Sequence, residues 1–232
     1  QGKITALEAR AMGVQVTFSP VLDINNNPNN PIINFRSYGD DARSVANFGS
    51  SFIKGVQDHG VIACAKHFPG HGNTSVDSHS TLPVIHGKRL DLDDMELFPF
   101  KKAVEDGIGM IMVGHISLPG LDESNRPASH SFKITTDLLR NEWGYDGIIV
   151  TDGMEMGGLT ESTWAGESAI RAVEAGVDIL LLPLDVEQTI NALLDAVKLG
   201  RISEKRINES VKRIWHIKSK MGLLDKKYQF PF

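Results

Sequence analysis

The sequence predicts an α/β fold of the (β/α)8 TIM-barrel class. Predicted strands and helices alternate along the chain as consecutive βα units. The strands are continuous apolar runs, which is typical of a parallel sheet covered on both faces. Long polar loops follow the strands and short glycine-marked turns precede them, as in barrel enzymes that carry their sites at the strand C-termini. Since a closed barrel needs about eight strands, we expect roughly three of them, mostly the first ones, to lie outside this sequence.

The elements follow from local signals in order. A helical pattern over residues 5–12 stops at Gly13, and a strand over 14–18 ends in an Asn- and Pro-rich loop that reaches Gly39. Asp40 or Asp41 is suited to cap the next helix. Apolar runs predict the remaining strands over residues 61–65, 109–113, 147–151 and 178–182. Amphipathic patterns predict helices over residues 41–59, 92–106, 136–143, 162–175, 186–199 and 203–221. We expect residues 1–224 to form one domain, incomplete at its N-terminus, and residues 225–232 to begin a linker or tail before a possible C-terminal domain.

Composition limits the class of protein. The 232 residues are 41% apolar and carry a net charge of −5, with a pI of about 5.9. This balance argues against nucleic acid or an anionic membrane as the main partner. No apolar run approaches the roughly 18 residues of a membrane span. The single cysteine, Cys64, excludes an internal disulfide and lies in an apolar strand, where an inert core thiol is expected.

Polar and titratable residues are most concentrated between Lys66 and Gly72, where the sequence is Lys-His-Phe-Pro-Gly-His-Gly, and in Asp77-Ser78-His79, which follows shortly after. It follows the predicted strand 61–65 directly. A packed core has no use for so many polar groups, because burying each unpaired one is costly. We therefore predict a functional loop at a strand C-terminus.

Asp152 lies at the end of the apolar run 148–150, separated from it only by Thr151. A carboxylate there would point into the barrel mouth, which suits a nucleophile or base. The alternative is a helix cap, a common role of Asp after strands.

Asp77 and His79 are two residues apart and can meet if the loop turns back. A carboxylate on one imidazole nitrogen fixes the tautomer and raises the basicity of the other nitrogen. The pair could shuttle protons, or it could be an Asx-type turn beside a solvent-exposed histidine.

Four histidines could also suggest a metal site: His67, His71, His79 and His115. No His-Glu-x-x-His or Cys/His spacing accompanies them, and Lys66 beside His67 opposes a bound cation. We therefore expect no metal and no cofactor. Lys66 and Arg36 instead look like donors to the hydroxyl or acyl groups of a ligand, with a salt bridge to Asp23 or Asp152 as the alternative.

These residues together resemble glycoside hydrolase family 3, in its β-N-acetylhexosaminidase branch. The matching segments occur in family order across nearly the whole chain: Asp23 with its Asn/Pro-rich loop, Arg36-Ser37-Tyr38-Gly39, Lys66 to Gly72, Asp77-Ser78-His79, and Thr151-Asp152-Gly153-Met154. The resemblance implies a retaining hydrolase that forms a covalent glycosyl-aspartate in a TIM barrel.

By this resemblance Asp152 is the nucleophile and His79 the acid/base, oriented by Asp77. Arg36, Lys66 and His67 would bind the sugar, and Met154 would lie near its subsite. Asp23 and His115, at other strand ends, are expected to join substrate binding.

The expected substrate is terminal β-linked GlcNAc of peptidoglycan fragments or chitin-type oligosaccharides. The alternatives are a β-glucosidase, a GlcNAc phosphorylase, a non-catalytic carbohydrate-binding barrel, or a metal-dependent barrel hydrolase. The resemblance suggests a bacterial protein, and the sequence leaves both the cytoplasm and export to the periplasm open.

Overall fold

Five parallel strands form one sheet in the computed structural model, which describes residues 1–75, 81–156, 159 and 163–224. The strands are β1 (Val16–Thr17), β2 (Ile62–Phe68), β3 (Met110–Val113), β4 (Ile148–Gly153) and β5 (Ile179–Leu181). They pair in sequence order, and every pair is parallel. The prediction of an α/β fold with a parallel sheet is confirmed.

The helices are α1 (Gly2–Ala11), α2 (Ala42–Gln57), α3 (Arg89–Asp94), α4 (Phe98–Glu105), α5 (Lys133–Glu142, with π-type hydrogen bonds), α6 (Ala165–Ala175), α7 (Val186–Lys198) and α8 (Glu204–Lys220). Two short 3₁₀ turns lie at Asn34–Arg36 and Ala128–His130. The predicted cap of α2 is Asp41, whose Oδ2 accepts a hydrogen bond from the Ser44 N–H at 2.7 Å.

One predicted helix is wrong. Residues 92–106 do not form a single helix, because the chain breaks between α3 and α4. Pro99 lies in the first turn of α4, where its missing N–H and fixed φ are tolerated, whereas they would interrupt a helix that ran through it. The break buries Glu96, whose carboxylate accepts a hydrogen bond from the Asn26 side chain at 3.3 Å.

The two faces of the sheet have different partners. One face packs into the main core with helices α2 and α4. The other face forms a separate apolar cluster from alternate strand residues, including Cys64, Met112 and Val150, against which Ile214 and Ile217 of α8 pack. Since the strand order follows the sequence, right-handed crossovers would place the connecting helices on one face, as in a barrel wall. In the described residues β1 and β5 are edges, so these five strands form part of a barrel and do not close one.

Two further features bear on protein class. Across the described part of the chain, no helix is both long and apolar enough to cross a membrane. Cys64 has no exposed surface, and burial raises the pKa of its thiol. The prediction of a buried core thiol is confirmed.

Candidate active site

The candidate site lies at the C-terminal ends of β2, β3 and β4. His67 is near the end of β2 and Asp152 near the end of β4, while His115 comes two residues after β3. The strands are in register, with Phe68 opposite Val113 and Val113 opposite Thr151. Because the C-terminal ends of parallel strands meet at one edge of a sheet, this register brings the three side chains together.

Asp23 is a fully buried carboxylate beneath His67. One of its oxygens, Oδ2, accepts a hydrogen bond from Nδ1 of His67 at 2.7 Å, and both oxygens lie 3.1 Å from the backbone N–H of His67. Its Oδ1 also accepts the backbone N–H of His71 at 2.6 Å. Asp23 therefore holds the end of β2 and the following turn, and this geometry favours a positioning role over the direct substrate contact predicted from the sequence.

The Asp23 bond fixes the state of the His67 ring. A carboxylate only accepts, so Nδ1 carries the proton and Nε2 faces outward. That nitrogen lies 3.9 Å from Oδ2 of Asp152. Burial would raise the pKa of Asp23, but the charge and hydrogen bonds of His67, with a contribution from His71, bring the pKa below its ordinary value. Asp23 is thus an anion that orients the imidazole.

Asp152 lies within β4, so it does not cap a helix as the alternative required. Its Oδ1 accepts the backbone N–H of Gly153 at 2.9 Å, while Oδ2 is turned towards His67. The side chain is 19% exposed, in contrast to the fully buried Asp23. One oxygen of Asp152 is therefore oriented by the backbone, and the other faces the ring of His67.

Lys66 lies close enough to Asp23, Asp152 and Arg36 to feel their charges, but it forms no ion pair with either carboxylate in the part of the chain that the structure describes. The ion pairs that Asp23 and Asp152 form within the described residues both involve His67, so the predicted alternative of a salt bridge is not observed. Burial, and then the charge of Arg36, lower the pKa of Lys66. Arg36 is exposed on a 3₁₀ turn and bonds the carbonyl of Ile32 at 3.4 Å. Both cations are available to a ligand.

His71 is buried behind His67. The two rings meet edge to face at 6.1 Å, and Nδ1 of His71 lies 2.9 Å from the hydroxyl of Thr74. Burial lowers the pKa of His71. Among residues 1–75, 81–156, 159 and 163–224, no three His, Cys, Asp or Glu side chains come together as metal ligands.

Two of the predicted site residues, Met154 and His115, are buried among other protein side chains. Met154 is 4% exposed and packs with Leu159 and Ala169, so its side chain offers little surface to a ligand. His115 is 1% exposed, and hydrogen bonds engage both of its ring nitrogens. The predicted acid/base pair, Asp77 and His79, lies outside the described residues.

Sequence reasoning missed Asn30, which joins the two loops around the site. Its Nδ2 donates to the carbonyl oxygens of His71 and Gly72 at 2.8 and 2.9 Å, and its Oδ1 accepts the N–H groups of Ile32 and Ile33. An amide is the side chain that can donate and accept in this way. In a loop of many asparagines, no sequence signal distinguishes this one from its neighbours.

Comparison with known proteins gives consistent matches. The family model described as glycosyl hydrolase family 3 N terminal domain matches residues 1–217. Beta-hexosaminidase A of Pseudoalteromonas piscicida is 36% identical over 234 residues, covering 92% of this chain and 39% of that protein. A glycoside hydrolase family 3 beta-N-acetylglucosaminidase structure from Paenibacillus sp. str. FPU-7 has a TM-score of 0.95 at 42% identity, covering 98% of this chain and 44% of that one.

A second solved structure, the beta-glucoside phosphorylase BglX, has a TM-score of 0.94 at 31% identity, covering 97% of this chain and 42% of that one. The chain thus spans about two fifths of the length of these relatives.

Proposed function

The chain belongs to glycosyl hydrolase family 3, and from this premise we propose that the full-length protein is a retaining, exo-acting β-N-acetylhexosaminidase. It would release terminal β-linked GlcNAc from peptidoglycan fragments or chitin-type oligosaccharides. The observation that carries the proposal is Asp152, a partly exposed carboxylate at a strand C-terminus with one oxygen held by the backbone and the other turned to His67.

In the first step Oδ2 of Asp152 attacks the anomeric carbon, and the glycosidic bond to the aglycone breaks. The leaving oxygen takes a proton from the acid, and a covalent glycosyl-aspartate remains. In the second step the residue that served as the acid now acts as a base and deprotonates a water molecule. This water attacks the anomeric carbon and releases the sugar from Asp152. The configuration at the anomeric carbon is retained because it inverts twice.

We assign the acid/base role to His79 and its orientation to Asp77, on the sequence pattern. Imidazole titrates near neutral pH, so it can give and take a proton there. A histidine also avoids a second anion beside Asp152. The Asp-Ser-His segment favours an acetamido sugar, because by the resemblance the family's β-glucosidases lack this pair.

Binding of the sugar falls to Lys66, Arg36 and His67. Lys66 and Arg36 are cationic donors without carboxylate partners in the described site, and they would bond hydroxyl or acyl oxygens. Nε2 of His67 lies 3.9 Å from Oδ2 of Asp152, and Asp23 holds the ring in this orientation, so Nε2 would face a sugar bound beside Asp152. Three buried residues would support these groups without contacting the sugar directly: Asp23, His115 and Met154.

A phosphorylase is the second candidate, and the likeness to the beta-glucoside phosphorylase BglX favours it. The same covalent intermediate would be attacked by phosphate instead of water. A neutral histidine acid/base does not repel phosphate as a carboxylate would.

We also propose that β1 to β5 belong to a (β/α)8 barrel completed by further strands, and that residues 225–232 begin a linker. The basis is the fold class, which needs about eight strands for closure.

The first experiment compares release of p-nitrophenol from the β-N-acetylglucosaminide and the β-glucoside by the full-length protein. Release from the acetamido sugar alone supports the proposal. Equal or faster release from the glucoside makes it a β-glucosidase, and a sugar 1-phosphate formed with added phosphate makes it a phosphorylase. GlcNAc binding without turnover would indicate a binding barrel, and loss of activity in EDTA a metal-dependent hydrolase.

A further inference from the structure

His115 is buried between the ends of β3 and β4 and forms two defined hydrogen bonds. Its Nε2 lies 3.1 Å from the carbonyl oxygen of Gly153, and its Nδ1 lies 2.8 Å from the hydroxyl of Ser129. A carbonyl only accepts, so Nε2 must carry the proton. Nδ1 is then the acceptor, and the Ser129 hydroxyl donates to it. In the neutral ring the two partners therefore specify a single tautomer, with the proton on Nε2.

Gly153 connects this ring to the proposed nucleophile. Its N–H donates to Oδ1 of Asp152, and its carbonyl accepts from His115. The pairing of β4 with β5 shifts register between Val150 and Gly153 and resumes at Gly153, which lies opposite Leu181, and the Met154 N–H bonds the Leu181 carbonyl at 2.9 Å. The His115 bond supplies a lateral tie from β3 at that point.

The 3₁₀ turn that carries Ser129 is held in place by hydrogen bonds that do not involve His115. The 3₁₀ turn that carries Ser129 is bonded to the β3 loop through the Ala128 N–H and the Ile116 carbonyl at 2.8 Å. It is also bonded to α5 through the Thr135 hydroxyl and the Ala128 carbonyl at 2.8 Å. Ser129 is fully buried, so water does not compete for its hydroxyl.

We propose that His115 is a positioning residue for Asp152: held in one tautomer by Ser129, it fixes the carbonyl of Gly153, whose N–H bonds the carboxylate, and thereby restrains the backbone that orients the nucleophile. This inference rests on the proposed function and replaces the substrate-binding role predicted for His115 from the sequence. Burial lowers the pKa of His115, which agrees with a ring that stays neutral.

The test uses paired substitutions in the full-length protein with the p-nitrophenyl acetamido sugar. His115→Phe keeps the volume of the ring and removes both nitrogens, whereas His115→Gln keeps an N–H donor. We expect the Phe variant to lose about 10²-fold in kcat, the loss typical of a misplaced reacting group, with KM changed less than about threefold. The Gln variant should regain at least about tenfold of that loss.

Ser129 provides a second pair of variants if His115→Phe does not fold. Ser129→Ala removes the donor that selects the tautomer and should lower kcat at unchanged KM, and Ser129→Thr should restore it. The matched control is His59→Phe, since the ring of His59, just after α2, also bonds a backbone carbonyl, that of Gly55 on α2, at 2.9 Å.

Three outcomes would overturn the inference: wild-type kcat in His115→Phe, a raised KM with unchanged kcat, or equal losses in the Phe and Gln variants. The last would mean that only ring packing matters. Nitrogen-15 NMR of the His115 ring tests the tautomer without turnover, and an Nδ1-protonated ring at pH 7 would also overturn it. If the wild type itself has no activity, the proposed function fails, and the NMR result still decides the tautomer.

Discussion

Asp23 and Asp152 lie on opposite sides of the same imidazole ring, that of His67. Oδ2 of Asp23 is 2.7 Å from Nδ1, and Oδ2 of Asp152 is 3.9 Å from Nε2. The two carboxylates differ in burial and in hydrogen bonding: Asp23 is enclosed and bonds two backbone N–H groups, while Asp152 bonds one and is partly exposed. Carboxylates in such different environments take different roles, here orientation for Asp23 and reaction for Asp152.

Replacing Asp23 with Asn should lower kcat by at least about tenfold, because an amide does not enforce the Nδ1-protonated tautomer of His67. The measurement is steady-state turnover of the acetamido substrate, with folding followed by circular dichroism. Asp41→Asn is the matched control, since Asn is as good a helix cap as Asp and α2 should be unaffected. Equal kcat in the two variants would contradict the role given to Asp23.

Asp152→Ala and His79→Ala should each cost about 10²-fold or more in turnover, because the first removes the nucleophile and the second the proton donor. Release of p-nitrophenol measures both. Asp146→Ala is a suitable control, because its side chain is 97% exposed. Near-normal rates in both active-site variants would refute the mechanism.

The strands could be predicted from the sequence because their signal is local. The apolar runs at 61–65 and 147–151 lie in β2 and β4, and only the ends differ. β2 continues past its predicted end to Phe68, where Asp23 accepts the backbone N–H of His67 across 44 residues. Such a contact depends on the folded chain and leaves no periodic pattern.

The site was predicted as a set of residues but not as an arrangement. Strand ends with charged groups indicated Lys66, His67 and Asp152, because parallel strands gather their C-termini at one edge. Whether a polar side chain faces the ligand or supports another residue depends on burial. Asp23 and Ser129 support neighbouring groups for this reason, and their partners lie 44 and 14 residues away in sequence.

Acid should destabilise the fold through His130. Burial, with the positive charges of Arg171 and Arg126 contributing less, lowers the pKa of His130 to about 3, against 6.5 in a model peptide. Between these values the unfolded chain binds a proton that the folded chain does not, so stability falls as pH decreases from 6.5 towards 3. The loss from this residue at pH 5 is about 2 kcal/mol.

His130→Gln tests this contribution while keeping a polar group near the Ser168 hydroxyl, which lies 3.1 Å from Nε2 of His130. The stability advantage of wild type over the variant, measured by urea unfolding, should shrink by about 2 kcal/mol between pH 7 and pH 5. His216→Gln, at an exposed histidine of α8, is the control. A wild-type advantage that stays constant with pH would mean that His130 titrates alike in both states.

Asn30→Ala should remove the hydrogen bonds that connect the Asn-rich loop to the turn at His71 and Gly72. The substitution leaves two carbonyl oxygens and two N–H groups without their amide partner, so we expect a loss of about 1–3 kcal/mol in stability. Because the same loop carries Arg36, KM for the sugar should rise more than kcat falls. Asn29→Ala is the matched control, since Asn29 is exposed one residue away. If both variants raised KM equally, the effect would belong to loop composition rather than to the bonds of Asn30.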